Sequence, residues 1–135
     1  MSTSITDVRY FYGVGRRKAA TARAKYYPTS EELTILVNKK PFATYFPEQF
    51  RQVITEALNN LSITTGQVHF FVNGGGVSGQ AQACRLAVSK SLVLMTPELR
   101  AVAKVYKYLT TDIRKVLPKK AGFRKARKRE QWSKR

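Results

Sequence analysis

Acidic side chains are scarce in this sequence: 8 Asp and Glu stand against 25 Lys and Arg in 135 residues, a formal net charge of +17. Such a surplus repels itself until a polyanion supplies the counter-charge, which points to nucleic acid as the partner. Cysteine and histidine are nearly absent too. The single Cys84 excludes an internal disulfide and fits a reducing compartment. One His and one Cys do not make a zinc site of the usual four-ligand kind. His69 alternates with Val68 and Phe70 in a strand pattern with no nucleophile or acid beside it, and the carboxylates occur singly or as the turn pair Glu31-Glu32. No enzyme, cofactor, metal or small-molecule substrate is expected from such a set. No apolar run approaches the ~20 residues that span a bilayer. Met1 to Tyr10 has no apolar signal core and carries Asp7. The expected location is the cytoplasm, or the lumen of an organelle that makes its own proteins.

The hydrophobic content of 43% is enough for one core on the scale of this chain. Val8 to Tyr12 is β-branched and aromatic, and Gly13, Gly15 and the triplet Arg16-Arg17-Lys18 are expected to break that strand into a basic turn. Ala20, Ala22, Ala24 and Tyr26 alternate with Thr21, Arg23 and Lys25, the pattern of a half-buried strand with a charged outer face. Leu33, Ile35 and Val37 mark a third strand, whose pairing is expected to end at Lys39-Lys40-Pro41. After Pro47, the positions Phe50, Val53, Ile54, Ala57, Leu58 and Leu61 have helical spacing.

Val68, Phe70 and Val72 predict a fourth strand, running through Asn73 into Gly74-Gly75-Gly76. Ser78 is then read as the N-cap of a helix over 79–95, with Ala81, Cys84, Val88, Leu92 and Met95 inward. Cys84 on that face reads as a small core residue. Thr96-Pro97-Glu98 reads as N-cap, first-turn proline and first-turn acid of a last helix, with Leu99, Val102, Ala103 and Tyr106 inward. Beyond Asp112 the pattern dissolves. The expectation is a globular RNA-binding domain over 1–113 and an extended basic tail over 114–135, with about four strands in all.

Residues 114–135 hold 11 of the 25 cations and only Glu130 as an acid. Arg124-Lys125-Ala126-Arg127-Lys128-Arg129 is denser than solubility alone requires. A membrane surface would want an apolar anchor beside this charge, and only Phe123 and Trp132 are at hand, so no membrane partner is expected. Both aromatics suit stacking on bases or packing against the partner. The glycine run has two readings, tight turning with close packing or approach to an RNA backbone at a helix N-terminus. It lacks the Gly-Lys-Ser/Thr ending of a nucleotide-binding loop.

At this point the sequence resembles one family, the ninth protein of the small ribosomal subunit in its bacterial form. Gly74-Gly75-Gly76-Val77-Ser78-Gly79-Gln80, followed by Ala83, Ala87 and Ser89-Lys90-Ser91-Leu92, is similar to its most specific signature. Gly13-Val14-Gly15-Arg16-Arg17-Lys18 resembles its early basic turn. Gly122-Phe123-Arg124-Lys125-Ala126-Arg127 and the ending Ser133-Lys134-Arg135 resemble its tail. The resemblance implies an α+β fold, a two-layer α/β sandwich with a mixed sheet and a left-handed β-α-β crossover. It implies a non-enzymatic place in the head of the small subunit, against 16S-type ribosomal RNA and neighbouring head proteins.

Carried onto this sequence, the rRNA-binding residues are Arg16, Arg17, Lys18, Gly74, Gly75, Gly76, Gln80, Arg85, Arg114, Lys119, Lys120, Arg124, Lys125, Arg127, Lys128 and Arg129. Ser133, Lys134 and Arg135 would contact the peptidyl-site tRNA. Two departures stand out. Tyr106-Lys107-Tyr108 occupies the place where the family usually has a glycine, so the helix there is expected to end differently. Leu117-Pro118-Lys119-Lys120 replaces a run of acid and base, so the root of the tail is expected to follow another course. The rival reading is a protein subunit of an RNA-processing ribonucleoprotein, since that fold also occurs in such subunits. A more distant one is a phosphotransferase using the glycine loop.

Overall fold

The structure is a computed structural model and describes residues 10–134. Five strands form one mixed sheet in the order β1-β2-β5-β3-β4: β1 Phe11–Arg17, β2 Ala20–Tyr27, β3 Thr34–Val37, β4 Lys40–Pro41 and β5 Gln67–Asn73. The helices are α1 Phe42–Tyr45, α2 Glu48–Asn60, α3 Val77–Met95 and α4 Leu99–Val105. β3 runs parallel to its neighbour β5, the other pairs are antiparallel, and the path from β3 to β5 passes through β4, α1 and α2. This is an α+β fold with a β-α-β crossover.

Alternation decides which face is covered. Ala20, Ala22, Ala24 and Tyr26 of β2 are buried, as are Val68, Phe70 and Val72 of β5, and α3 crosses this face with α2 packed against it. Ile54, Ala57 and Leu58 are the buried side of α2 and join the same core.

β1 corrects the reading of the sequence at its glycines. The strand does not break at Gly13 and Gly15 but runs through both to Arg17; Val8 and Arg9 lie outside the described residues. The reason lies in α3. A Cβ on Gly15 would overlap the Ala83 carbonyl oxygen and stand 2.7 Å from the Ala87 amide, and one on Gly13 would overlap the Ala87 carbonyl and stand 2.8 Å from the Ser91 amide. Ala83, Ala87 and Ser91, spaced by four, bring the helix backbone down onto the strand backbone. The glycines and the small residues of the helix are two halves of one contact.

Three further boundaries differ from expectation. Lys39-Lys40-Pro41 does not end the pairing of β3. Asn38 and Lys39 have φ of 48° and 65°, a tight turn that folds Lys40–Pro41 back as β4 opposite Leu36 and Val37. Ser78 is not an N-cap. Gly76 takes that position without a side-chain cap, and α3 starts at Val77, because Gly74 and Gly75 at φ of 71° and 67° complete the turn two residues early.

Thr96-Pro97-Glu98 forms a turn in which Leu99 and Arg100 donate to the Thr96 and Pro97 carbonyls (3.2 and 3.1 Å), so α4 begins only at Leu99. Val102 and Tyr106 are exposed, and Ala103 with Tyr108 is buried in their place. Lys107, at φ 56°, ends α4: its amide donates to Lys104 and that of Tyr108 to Ala103 (3.0 and 2.9 Å), a left-handed C-terminal cap. The left-handed position that suits glycine is therefore held by a lysine.

Candidate nucleic-acid interface

The tip of the β1–β2 hairpin, the entry to α3 and the root of the tail meet at one end of the molecule. The hairpin closes at Arg17↔Ala20, with Lys18 at φ 53° in a two-residue turn that leaves Arg16 and Lys18 exposed. The glycine run packs on this tip: a Cβ on Gly75 would stand 2.8 Å from the Ala20 amide, and one on Gly74 2.9 Å from the Ala19 carbonyl. Both readings of the run therefore have a basis, since Gly74 and Gly75 pack closely on the tip while all three glycines stay exposed to solvent. The first turn of α3 has neither an acid nor a side-chain cap, so its amides point a partial positive charge toward the same end.

Gln80, expected to touch RNA, has its side chain engaged within the protein. Its Nε2 donates to the Gly74 carbonyl (3.1 Å) and its Oε1 accepts from the Tyr45 hydroxyl (3.1 Å), so it braces the loop. Arg17 is likewise engaged. Its Nε donates to Gln82 Oε1 (2.8 Å), its Nη1 to the Arg114 carbonyl (3.2 Å), and its Nη2 lies 3.3 Å from Asp112 Oδ2. Arg114 in turn grips Asp112 with Nε and Nη2 at 2.7 to 3.1 Å. The Arg114 hydrogen bonds, and after them the charges of Arg114 and Arg17, hold the Asp112 carboxyl well below the usual carboxylate range.

One acid thus serves two arginines and fastens the tail root to β1. Asp112 and Gln82 carried no functional signal in the sequence, because their partner Arg17 is distant along the chain.

A cleft of about 530 Å³ opens beside this clasp, lined by Arg16, Arg17, Lys18, Thr21, Asp112 and Lys115. A smaller one of about 210 Å³ lies between Arg16, Arg85, Lys107 and Tyr108, and the Arg85 guanidinium sits 5.4 Å from the Tyr108 ring centroid. Cations outnumber acids in both, and their surfaces are set for anions rather than for a buried small molecule.

The remaining sequence-derived residues are not gathered here. Lys119, Lys120, Arg124, Lys125, Arg127, Lys128, Arg129, Ser133 and Lys134 are exposed, and among the described residues they make no hydrogen bond or ion pair with the body. Within the tail, Arg124 donates its amide to Lys128 (2.8 Å), Phe123 and Arg129 form an isolated bridge, and the Arg129 guanidinium lies 5.6 Å from the Phe123 ring centroid. Trp132 is 81% exposed. Arg135 lies outside the described residues. Cys84 is buried, and burial pushes its thiol up, away from reactivity. Among the described residues no group of three or more His, Cys, Asp or Glu is arranged to hold a metal ion, and no helix is long and apolar enough to cross a membrane.

Comparison with known proteins completes this picture. The family described as ribosomal protein S9/S16 matches residues 15–135. A protein of Desulfovibrio desulfuricans named small ribosomal subunit protein uS9 is 44% identical over 129 residues, covering 94% of this chain and 98% of its own length. Its namesake in Solidesulfovibrio magneticus is 43% identical over 128 residues, covering 93% and 97%. That of Lawsonia intracellularis is 40% identical over 131 residues, covering 96% and 99%.

Proposed function

The chain belongs to the ribosomal protein S9 family and is a structural, non-enzymatic constituent of the small ribosomal subunit; from that premise we propose that it binds 16S-type ribosomal RNA with its hairpin end and supports peptidyl-site tRNA with its tail. The observation that carries this reading is the meeting of Arg16, Lys18, Arg85 and Lys115 with the glycine loop and the uncapped start of α3 on one face. Phosphates suit such a face, because mobile cations, backbone amides and the helix dipole all favour negative charge there.

The roles divide by whether the side chain is engaged within the protein. Arg16 and Lys18 are free to meet phosphates, whereas Arg17, Gln80 and Arg114 position them by fixing the hairpin tip, the glycine loop and the tail root. The body runs over 1–113 and the arm over 114–135. Fully extended, 22 residues span roughly 70 to 80 Å. Lys119, Lys120 and the basic cluster Arg124–Arg129 then anchor the arm in ribosomal RNA, and Ser133, Lys134 and Arg135 form a tip at the tRNA. The family match over residues 15–135 favours this over an RNA-processing ribonucleoprotein, which rested on fold alone.

Two variants test the halves separately. Subunits carrying Arg16→Gln with Lys18→Gln should show reduced occupancy by this chain, and full occupancy in competition with the unaltered chain counts against the hairpin end. Removal of 133–135 should leave assembly intact and weaken retention of peptidyl-site tRNA at low magnesium. Unchanged tRNA retention contradicts the role of the tip.

A further inference from the structure

Beyond Arg16 and Thr21 at its edge, the face of the sheet turned away from the helices is not used by the site described above. Register places its side chains in rows: Tyr12, Lys25 and His69 lie side by side across β1, β2 and β5, and Val14, Arg23 and Phe71 form the next row. Tyr12 is 41% exposed and Arg23 is exposed. The two cations of β2 stand between aromatic rings: Lys25 Nζ is 4.5 Å from the Tyr10 centroid and 5.8 Å from that of Phe71, and the Arg23 guanidinium is 5.9 Å from Phe71. A cleft of about 200 Å³ opens between Tyr12, Arg23, Lys25 and Phe71. None of the outward positions of β1, β2 and β5 carries a carboxylate.

We propose that this open face is a stacking platform for a single-stranded segment of RNA, with bases on Phe71 and Tyr12 and phosphates on Arg23 and Lys25. The proposal deepens the rRNA-binding reading and rests on it, but uses a surface that reading does not need. Three features favour RNA over a protein partner. The cations are unopposed by any acid on the face, which matches a polyanion. Aromatic rings on a sheet surface offer flat faces that unpaired bases cover without regard to sequence. Only Val14, Leu36 and Pro41 supply aliphatic surface among the outward strand positions, too little for the apolar centre of a protein interface.

A duplex cannot use such a platform, because its bases are already stacked on one another; an unpaired strand can. The preference therefore reads out the mechanism. Anisotropy of the full chain is measured with a labelled oligouridine 12-mer and with a 12-base-pair RNA duplex, for the unaltered chain, for Tyr12→Leu with Phe71→Leu, and for Tyr12→Leu alone. The exposed Tyr12→Leu guards against loss of fold, which a thermal melt checks. The proposal expects the double variant to lose about tenfold in affinity for the single strand, Tyr12→Leu a part of that, and both to bind the duplex within twofold of the unaltered chain at the same salt slope.

Equal affinities for the single strand overturn the proposal. So does unchanged RNA binding combined with poorer incorporation into subunits, which would assign the face to a protein. The Arg16→Gln, Lys18→Gln variant separates the two claims. Its reduced occupancy together with unaltered binding by the aromatic variants removes the platform alone, whereas its full occupancy removes the broader reading.

Discussion

At the scale of single residues, Arg17 and Lys107 show how position overrides type. Arg17 sits in a basic triplet and reads as an RNA contact, yet its guanidinium is spent on Gln82, Arg114 and Asp112. The pairing is long-range, so no local pattern discloses it. Because Asp112 titrates below the ordinary carboxylate range in the folded chain, its contribution is present above the unfolded value of ~3.9 and is lost as pH falls through the folded one. The tail root should keep the same amide exchange protection from pH 7 down to pH 5 and lose it only in stronger acid. Asp112→Asn should show the loosened root already at pH 7, and unchanged exchange at Arg114 in that variant would break the clasp argument. Lys107 holds a left-handed cap in which glycine carries no Cβ penalty. Lys107→Gly should therefore raise stability by about 0.5 to 1 kcal/mol in urea unfolding.

Among the elements, strand alternation was readable because each inward position of β2 and β5 is apolar and each outward one of β2 polar or aromatic. The limits of β1 were not, because glycine carries no periodic signal and its need arises from Ala83 and Ala87, some seventy residues away. Gly15→Ala should destabilise the protein by about 3 kcal/mol or more, since the obstacle is helix backbone that cannot rotate aside. A melt within a degree of the unaltered protein would show that α3 is free to lift off β1. The start of α3 escaped notice for a related reason. Ser78 has the chemistry of a cap, but two successive left-handed glycines complete the turn first. The short β4 depends on left-handed Asn38 and Lys39, and α4 is too short for its periodicity to fix its face.

For the whole molecule, charge set the partner class before any fold was known, and the comparisons give the assembly. What composition left unresolved is the division of labour among cations. Pairing separates the unengaged Arg16 and Lys18 from Arg17 and Arg114, both held on Asp112. RNA binding should fall with salt at a slope of roughly −0.7 to −0.9 per phosphate neutralised. Deleting residues 119–135 should flatten that slope by several units, whereas Arg17→Gln should change it little.

The most direct test of the hairpin end is a reconstruction of the small subunit carrying this chain. The account predicts ribosomal RNA phosphates within hydrogen-bonding reach of Arg16, Lys18 and the Gly74–Gly76 backbone. Solvent or protein covering that end in the assembled subunit would contradict it.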